Sequence, residues 1–191
     1  MKTVTVIITS YNSAQCIDRA IHSLLAQNGL NKDFSLEIIV VDDCSTDTTL
    51  EIVRQYPVQM LTTGKNSGGP NRGRNMGLQH AGGDYICLMD HDDEWFPNRI
   101  ESQLRYTSLA PIVTCGYTIV DKNGSENIRS ASHPDGYRTF TANETFRDKL
   151  ARRNNRQNCY LGTILFDSKL KEILFEEEYG QLDWDWILRL F

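Results

Sequence analysis

From residue 4 to residue 9 the chain reads Val-Thr-Val-Ile-Ile-Thr, a β-branched run that predicts a strand buried on both faces. The apolar positions that follow, Ile17, Ala20, Ile21, Leu24 and Leu25, recur at helical spacing, and Asn12 or Ser13 is placed to cap that helix. Asn28 to Ser35 is a polar loop. Leu36 to Val41 is a second buried strand, and it closes on Asp42-Asp43. Asp47 or Thr48 opens another helix that Pro57 breaks, and Val58 to Leu61 reads as a third, weaker strand. A Gly-rich loop from Gly64 to Gly73 leads into a short helix near Asn75 to Ala81. Tyr85 to Met89 is then a strand that runs straight into Asp90-His91-Asp92-Asp93. Strands alternating with helices over short links predict an α/β fold with a mostly parallel central sheet and helices on both faces. Such sheets bind ligands at the carboxyl ends of their strands.

The pattern changes after residue 95. Pro97 opens a helix to about Thr107, and Ile112 to Val120 is strand-like. Asp121-Lys122-Asn123-Gly124 is a turn, and the polar stretch from Ser125 to Tyr137 reads as a mobile loop. Thr141-x-x-Glu144 has the form of a capping box for a helix to about Arg152. Asn158 to Phe166 is strand-like. Asp183 to Phe191 begins an amphipathic helix whose apolar stripe is Trp184, Ile187, Leu188 and Phe191. No repeat, low-complexity tract or linker divides the chain, so residues 1–191 read as one domain. A half of about 1–95 carries the strand-end polar sites, and 96–191 forms the other half. The last helix stops without a Gly, Asn or Pro signal, so a chain that continues, or an apolar end that packs on a partner, is expected.

Composition narrows the classes. The chain has 191 residues, 40% apolar content and a net charge of −5, which fits a folded domain and argues against a nucleic-acid surface. No apolar run is long enough to span a bilayer and no signal peptide opens the chain. The five cysteines are scattered without a Cys-x-x-Cys pair, which disfavours a zinc site or disulfide framework. A reduced, cytoplasmic setting is the expectation.

The candidate chemistry sits in the acidic run. Three carboxylates within four positions repel one another unless a cation or polar ligand shares the site. An all-oxygen set suits Mg²⁺ or Mn²⁺, and Mg²⁺ typically completes its shell with substrate phosphates. The plainer alternative is an acidic strand-to-helix turn with Asp92 or Asp93 as an N-cap. Three further polar sites fall at strand ends: Thr9-Ser10-Tyr11-Asn12, Asp42-Asp43 and the Asn66 to Asn75 loop.

Together these segments resemble the family-2 glycosyltransferases, which have the GT-A nucleotide-sugar-binding fold. "VTVIITSYNSAQCIDRAIHSLLAQ" is similar to that family's opening strand and helix, and "LEIIVVDDCSTDTTLEIV" to its second strand with the Asp-Asp pair. "NSGGPNRGRNMGLQHAGGDYICLMDHDDEW" is similar to its Arg-Asn helix and Asp-x-Asp metal motif, and "LDWDWILRL" to its base segment. The resemblance implies a smaller antiparallel, acceptor-side part beside the parallel sheet. It implies that Thr9 and Tyr11 contact the nucleotide, with Tyr11 able to stack on the base or else to cap the core edge. Asp42 corresponds to the acceptor of a uracil ring N–H, and Asp43 either reaches the base or caps the turn. Cys44 stands where the family often has Gly.

The same resemblance places Arg74 near the nucleotide and pyrophosphate, against the alternative of an exposed helix-start arginine, while Asn75 secures the loop. Gly68, Gly69 and Gly73 permit close backbone approach. Lys65 reads as solvated, since the P-loop spacing is absent. Asp90 falls in the ribose and metal region, Asp92 is the direct metal ligand, and Asp93 supplies a second oxygen or touches the donor sugar. His91 points away if the segment stays extended. Trp95 and Trp184 either line a sugar pocket or pack, with packing the preferred reading for Trp95. Asp183 matches the base position, with Asp185 as competitor; family members often carry Glu where Leu182 stands.

The activity so implied is inverting, metal-dependent transfer from a nucleotide-diphospho-sugar, UDP-linked by expectation, with Mn²⁺ or Mg²⁺, in polysaccharide biosynthesis. The acceptor is a glycan or lipid-linked saccharide, and the acceptor or a missing C-terminal region offers a route to peripheral association at the inner membrane face. A non-catalytic nucleotide-sugar-binding module and a sugar nucleotidyltransferase are the alternatives. The second is disfavoured because Thr9-Ser10-Tyr11-Asn12 replaces the basic Gly-rich loop that such enzymes carry after the first strand.

Overall fold

A computed structural model describes residues 1–129, 136–151, 157–179 and 183–191. The first strand, β1 (Lys2–Ser10), is buried from Val4 onward and lies at the centre of the molecule. It pairs in parallel with β2 (Phe34–Asp42) on one side and β4 (Tyr85–Asp90) on the other, and β3 (Gln59–Thr62) extends the β2 edge. Beyond β4 the sheet turns antiparallel through β8 (Ile164–Asp167) and β5 (Ile112–Thr114), giving the order β3-β2-β1-β4-β8-β5. A hairpin of β6 (Tyr117–Val120) and β7 (Glu126–Arg129) forms a separate two-stranded sheet. This is the predicted architecture: a mainly parallel sheet with a small antiparallel part.

Both faces of the sheet are covered, which explains why β1, β2 and β4 are continuous apolar runs. One face packs Val4, Val6 and Ile8 against Ile17, Ile21 and Leu24 of α1 (Ile17–Leu25) and Ile100 of α4 (Arg99–Leu104). The other packs Ile7 and Leu88 against Leu78 of α3 (Asn71–His80) and Trp186 and Ile187 of α6 (Trp184–Arg189). Contact on that side is close at Gly77, where an added Cβ would lie 2.3 Å from Ile7 Cγ2. Among the described residues, no helix is long and apolar enough to cross a membrane.

Several boundaries differ from the sequence reading. The first helix begins at Ile17, and neither Asn12 nor Ser13 caps it by its side chain; the Ser13 carbonyl accepts from Cys16 N and Ile17 N instead. The Gly-rich loop is shorter than expected, because α3 already starts at Asn71. Ile112 to Val120 is two strands rather than one, and the segment after the Asp121–Gly124 turn returns as β7 rather than as loop. Residues 130–135 of the predicted loop lie outside the described residues. The capping box forms as expected: Glu144 N donates to Thr141 Oγ1 and Thr141 N to Glu144 Oε2, opening α5 (Ala142–Leu150). Its predicted end at Arg152 lies outside the described residues.

Candidate functional site

Register decides where the polar strand ends meet. Ser10 pairs with Asp42, and Thr9 pairs with Asp90, so the carboxyl ends of β2, β1 and β4 stand side by side. From β1 the chain builds outward to β2 and β3, then crosses back to place β4 on the other side, which makes the β1/β4 boundary the switch point where such sheets open a crevice. Thr9 is buried at that point, while Tyr11 is 46% exposed just beyond it.

Asp42 is fully buried and its carboxylate serves the turn after β2. Oδ1 accepts from Ser10 Oγ at 3.1 Å and Ser45 Oγ at 2.5 Å, and Oδ2 from Ser45 N at 2.8 Å. Of its oxygens only Oδ2 retains a lone pair, and it is covered. Asp43 neither caps the turn locally nor faces outward. Its carboxylate accepts from Thr63 Oγ1 at 2.6 Å and Ser67 N at 2.9 Å, which ties the glycine-rich loop to β2. Cys44, in place of the family glycine, takes φ +64°, a left-handed conformation that a non-glycine residue holds only at some cost in strain. Asn12, also left-handed at φ +47°, accepts from Thr46 N and so bolts the β1 end to the same turn.

Arg74 is buried, which excludes the exposed helix-start alternative, and two of its guanidinium N–H groups are already partnered. Nη2 lies 2.9 Å from Asp90 Oδ1, Nη1 3.2 Å from Asn71 Oδ1, and the guanidinium carbon 5.4 Å from the centre of the Phe175 ring. The paired Asp90 side chain remains 45% exposed, so the arginine aims one of its oxygens and leaves the other toward the crevice. Asn75 secures a different segment from the one expected: it accepts from Phe175 N at 2.7 Å and donates to Phe175 O at 2.9 Å. Of the loop glycines, Gly73 is tight, with a Cβ there 3.0 Å from Thr9 Cγ2, whereas Gly68 serves through φ +78° in open space.

The strand does not stay extended past Asp90. Asp93 N donates to Asp90 O at 3.1 Å, and His91 turns back so that Nδ1 lies 3.1 Å from the Thr9 carbonyl. Asp92 is exposed at the tip. The Asp93 carboxyl is pushed up to about 6, first by desolvation among its neighbours and then by the charges of Asp90 and Asp92. Crowded carboxylate oxygens with one arginine partner suit a hard divalent ion, with substrate oxygens completing its shell. Among the described residues, no three acidic, histidine or cysteine side chains converge closely enough to hold a metal ion by themselves.

A cavity of about 1280 Å³ opens beside this turn, lined by Asp92, Asp93, Trp95, Arg99, Tyr117 and Tyr160 among others. Trp95 is buried and packs, as expected, with the Arg99 guanidinium carbon 3.5 Å from its ring centre. Asp93 lies against Gly162, where a Cβ would come within 3.1 Å of Oδ2. Asp183 stands immediately before α6 and caps nothing with its side chain, whereas Asp185 is taken by Arg189 Nε at 2.9 Å. Leu182 lies outside the described residues. Sequence reasoning did not find Ser10, Ser45, Tyr160 or Lys149; only Lys149 left a trace, as a cation four residues after Thr145 on what proves to be the buried side of α5.

The family profile "Glycosyl transferase family 2" matches residues 5–174. An uncharacterized glycosyltransferase of Rickettsia typhi is 37% identical over 123 residues, which are 62% of this chain and 37% of that protein. The poly(ribitol-phosphate) β-N-acetylglucosaminyltransferase TarS of Staphylococcus aureus is 41% identical over 99 residues, 49% of this chain and 17% of TarS. The crystal structure of S. aureus TarS 1-349 superimposes with a TM-score of 0.75 at 26% identity, covering 97% of this chain and 53% of that one. TarS 1-349 in complex with UDP, and with UDP-GlcNAc, gives TM-scores of 0.68 and 0.66 at 25% and 26% identity, over 94% and 92% of this chain and 52% and 49% of those chains. The chain thus spans about half of that solved structure and a smaller part of these two relatives. It belongs to glycosyl transferase family 2.

Proposed function

From that membership and the geometry above, we propose that the chain transfers a sugar from a UDP-linked donor to a hydroxyl of a glycan or lipid-linked saccharide, with inversion at the anomeric carbon. The observation that carries this reading is the register that sets Ser10 beside Asp42 and Thr9 beside Asp90, on a strand that leads directly into Asp92 and Asp93 in the wall of the cavity. The likeness to TarS, whose solved complexes hold UDP and UDP-GlcNAc, supports the uridine nucleotide and a hexosamine-type sugar.

In this reading Thr9 and Tyr11 border the base, and Arg74 acts through Asp90, whose free oxygen faces the ribose and diphosphate. Asp90 and Asp92 hold Mn²⁺ or Mg²⁺, which when bound neutralises charge on the departing diphosphate. Asp93 faces the donor sugar from beside Gly162. Asp183 takes the proton of the acceptor hydroxyl as its oxygen forms the new bond to the anomeric carbon. The bond from that carbon to the diphosphate oxygen breaks, and UDP leaves.

Calorimetric melting with UDP tests the core of this proposal. UDP is expected to raise the melting temperature more with Mn²⁺ than with EDTA, since a ligand that binds the native state stabilises it by mass action. Asp92→Ala is expected to remove the metal-dependent part. Turnover across UDP-, GDP- and dTDP-sugars should single out a UDP-sugar. UDP shifts that are equal with and without metal sink the metal-bridged site, and absence of turnover leaves a binding module instead.

A further inference from the structure

Lys149 is a charged side chain with no surface to be charged on. It is 2% exposed, among the most deeply buried large side chains of the molecule, although the other charged residues of its helix are not buried. Burying an ammonium is costly unless partners replace its water. The partners it has are informative. Nζ donates to the Cys159 carbonyl, lies 4.3 Å from the centre of the Tyr160 ring and lies 5.2 Å from the centre of the Trp184 ring. Rings at those distances hold a cation by their negative faces.

Those partners come from two different places. Tyr160 belongs to the wall of the cavity beside the acidic turn, where it meets Tyr117 edge to face at 5.5 Å. Trp184 is the first residue of α6, next to Asp183. The titratable groups around the ammonium are Cys159 and Tyr160 of the cavity-wall segment, with Asp183 at the start of α6 acting on it electrostatically. Burial lowers the lysine pKa, while Cys159 and Asp183 draw it back up. The Cys159 thiol is itself pushed up to about 11 by burial. One cation therefore joins the wall of the cavity to the start of the helix that presents Asp183.

We propose that Lys149 is a positioning residue for sugar transfer: it pins the start of α6, and with it Asp183, to the Tyr160 wall of the cavity beside the acidic turn. This rests on the reading of Asp183 as the proton acceptor. Lys149 touches neither donor nor acceptor. Its contribution is to keep the carboxylate at the distance proton transfer requires, where a displacement of about 1 Å can cost on the order of 10²-fold in rate.

The test compares Lys149→Met, Lys149→Arg and Asp183→Asn, reading UDP release from the donor singled out by the sugar-nucleotide panel. Methionine keeps the length and packing but removes the charge. It is expected to lower kcat roughly 10- to 100-fold while the donor KM and the UDP-induced melting shift stay at parent values. Lys149→Arg, which keeps a cation over both rings, is expected to restore most of kcat. A buried cation that only fills space predicts the opposite, since its replacement by a well-packed apolar side chain is often neutral or stabilising. Parent kcat in Lys149→Met with an inactive Asp183→Asn overturns the proposal and leaves the base in place. A low kcat in both Lys149 variants, with melting and donor KM disturbed alike, also overturns it in favour of a plain packing role. Parent activity in Asp183→Asn, or absence of turnover in the parent, removes the base reading and this inference with it.

Discussion

The two halves of the chain place their functional groups by different means. In the first, nine-residue parallel strands fix the ends of β1 and β2 relative to each other through continuous backbone pairing, and β4 follows over six residues. The site residues there are consequences of register: displacing Asp90 from Thr9 requires slipping a buried strand and turning its apolar side chains to the wrong face. In the second half the strands are three or four residues long, and the elements are joined by single side chains: Gln103 Nε2 to the Val113 and Thr163 carbonyls, Asn75 to Phe175, Lys149 to Cys159. In the proposed function the nucleotide meets the part set by backbone, and the acceptor meets the part set by side chains, which substitution can remodel without disturbing the sheet.

The sharpest way to break this comparison is at the one chemical group assigned to the second half. Asp183→Asn keeps the shape and removes the proton acceptor, so transfer is expected to fall roughly 10²–10⁴-fold with UDP affinity unchanged. Asp185→Asn touches only the pair with Arg189 at the helix start, a contribution of about 0.3–1 kcal/mol, and should leave transfer near the parent rate. Steady-state rates with UDP titrations on both variants decide the matter. A dead Asp185→Asn beside an active Asp183→Asn shifts the base by two residues.

The same contrast explains what could be read from the sequence. Strands β1, β2 and β4 announce themselves because both faces are buried, which leaves no choice of period. The polar residues that follow each run must then lie at the sheet's carboxyl edge, so Thr9, Asp42 and Asp90 are legible by position. Their bonding is not. Nothing in Asp42-Asp43-Cys44-Ser45 says that Ser45 and Ser10 take up the first carboxylate, because that depends on where β1 ends relative to β2. Arg74 likewise reads as a phosphate ligand until α3 sets it against Asp90 and Phe175. In the second half even the elements blur. Ile112 to Val120 is one apolar run in sequence and two strands in space, and β8 is bounded by Thr163 and Asp167 for reasons of pairing with β4 and β5.

The junction between the halves offers a second, smaller test. Asn75, on α3, satisfies both the N–H and the C=O of Phe175, which stacks on Trp186 of α6 at 4.5 Å and 12°. Asn75→Ala leaves two buried backbone groups unpaired, and an unsatisfied buried group costs roughly 1–3 kcal/mol. The expected result is a lower melting temperature, with amide exchange accelerated first around residues 173–177 and 184–189. The amides of β1 and β2 should hold their protection. Uniform loss of protection across both halves would mean that they do not differ in the way described.

The smallest expected effect probes the first half, at the carboxylate that looks most committed. Asp42 Oδ1 already accepts two hydroxyls, and Oδ2 accepts one backbone N–H, so one lone pair on Oδ2 is left. The proposed contact with a uracil ring requires that lone pair to be uncovered, by a small movement of the Ser45 turn. If it is, UDP brings a ring N–H to the acceptor, whereas CDP brings a ring nitrogen that only accepts. Facing two acceptors against each other costs roughly 1–3 kcal/mol, so calorimetry should find UDP bound about 5- to 150-fold more tightly than CDP. Asp42→Asn removes one lone-pair acceptor and supplies a donor, so it should narrow that preference even though it also loosens the turn. Equal binding of CDP and UDP by the parent protein would assign Asp42 wholly to the turn. Contact with the base would then fall to Tyr11, whose stacking face accepts either ring, and Asp42 would take no part in selecting the nucleotide.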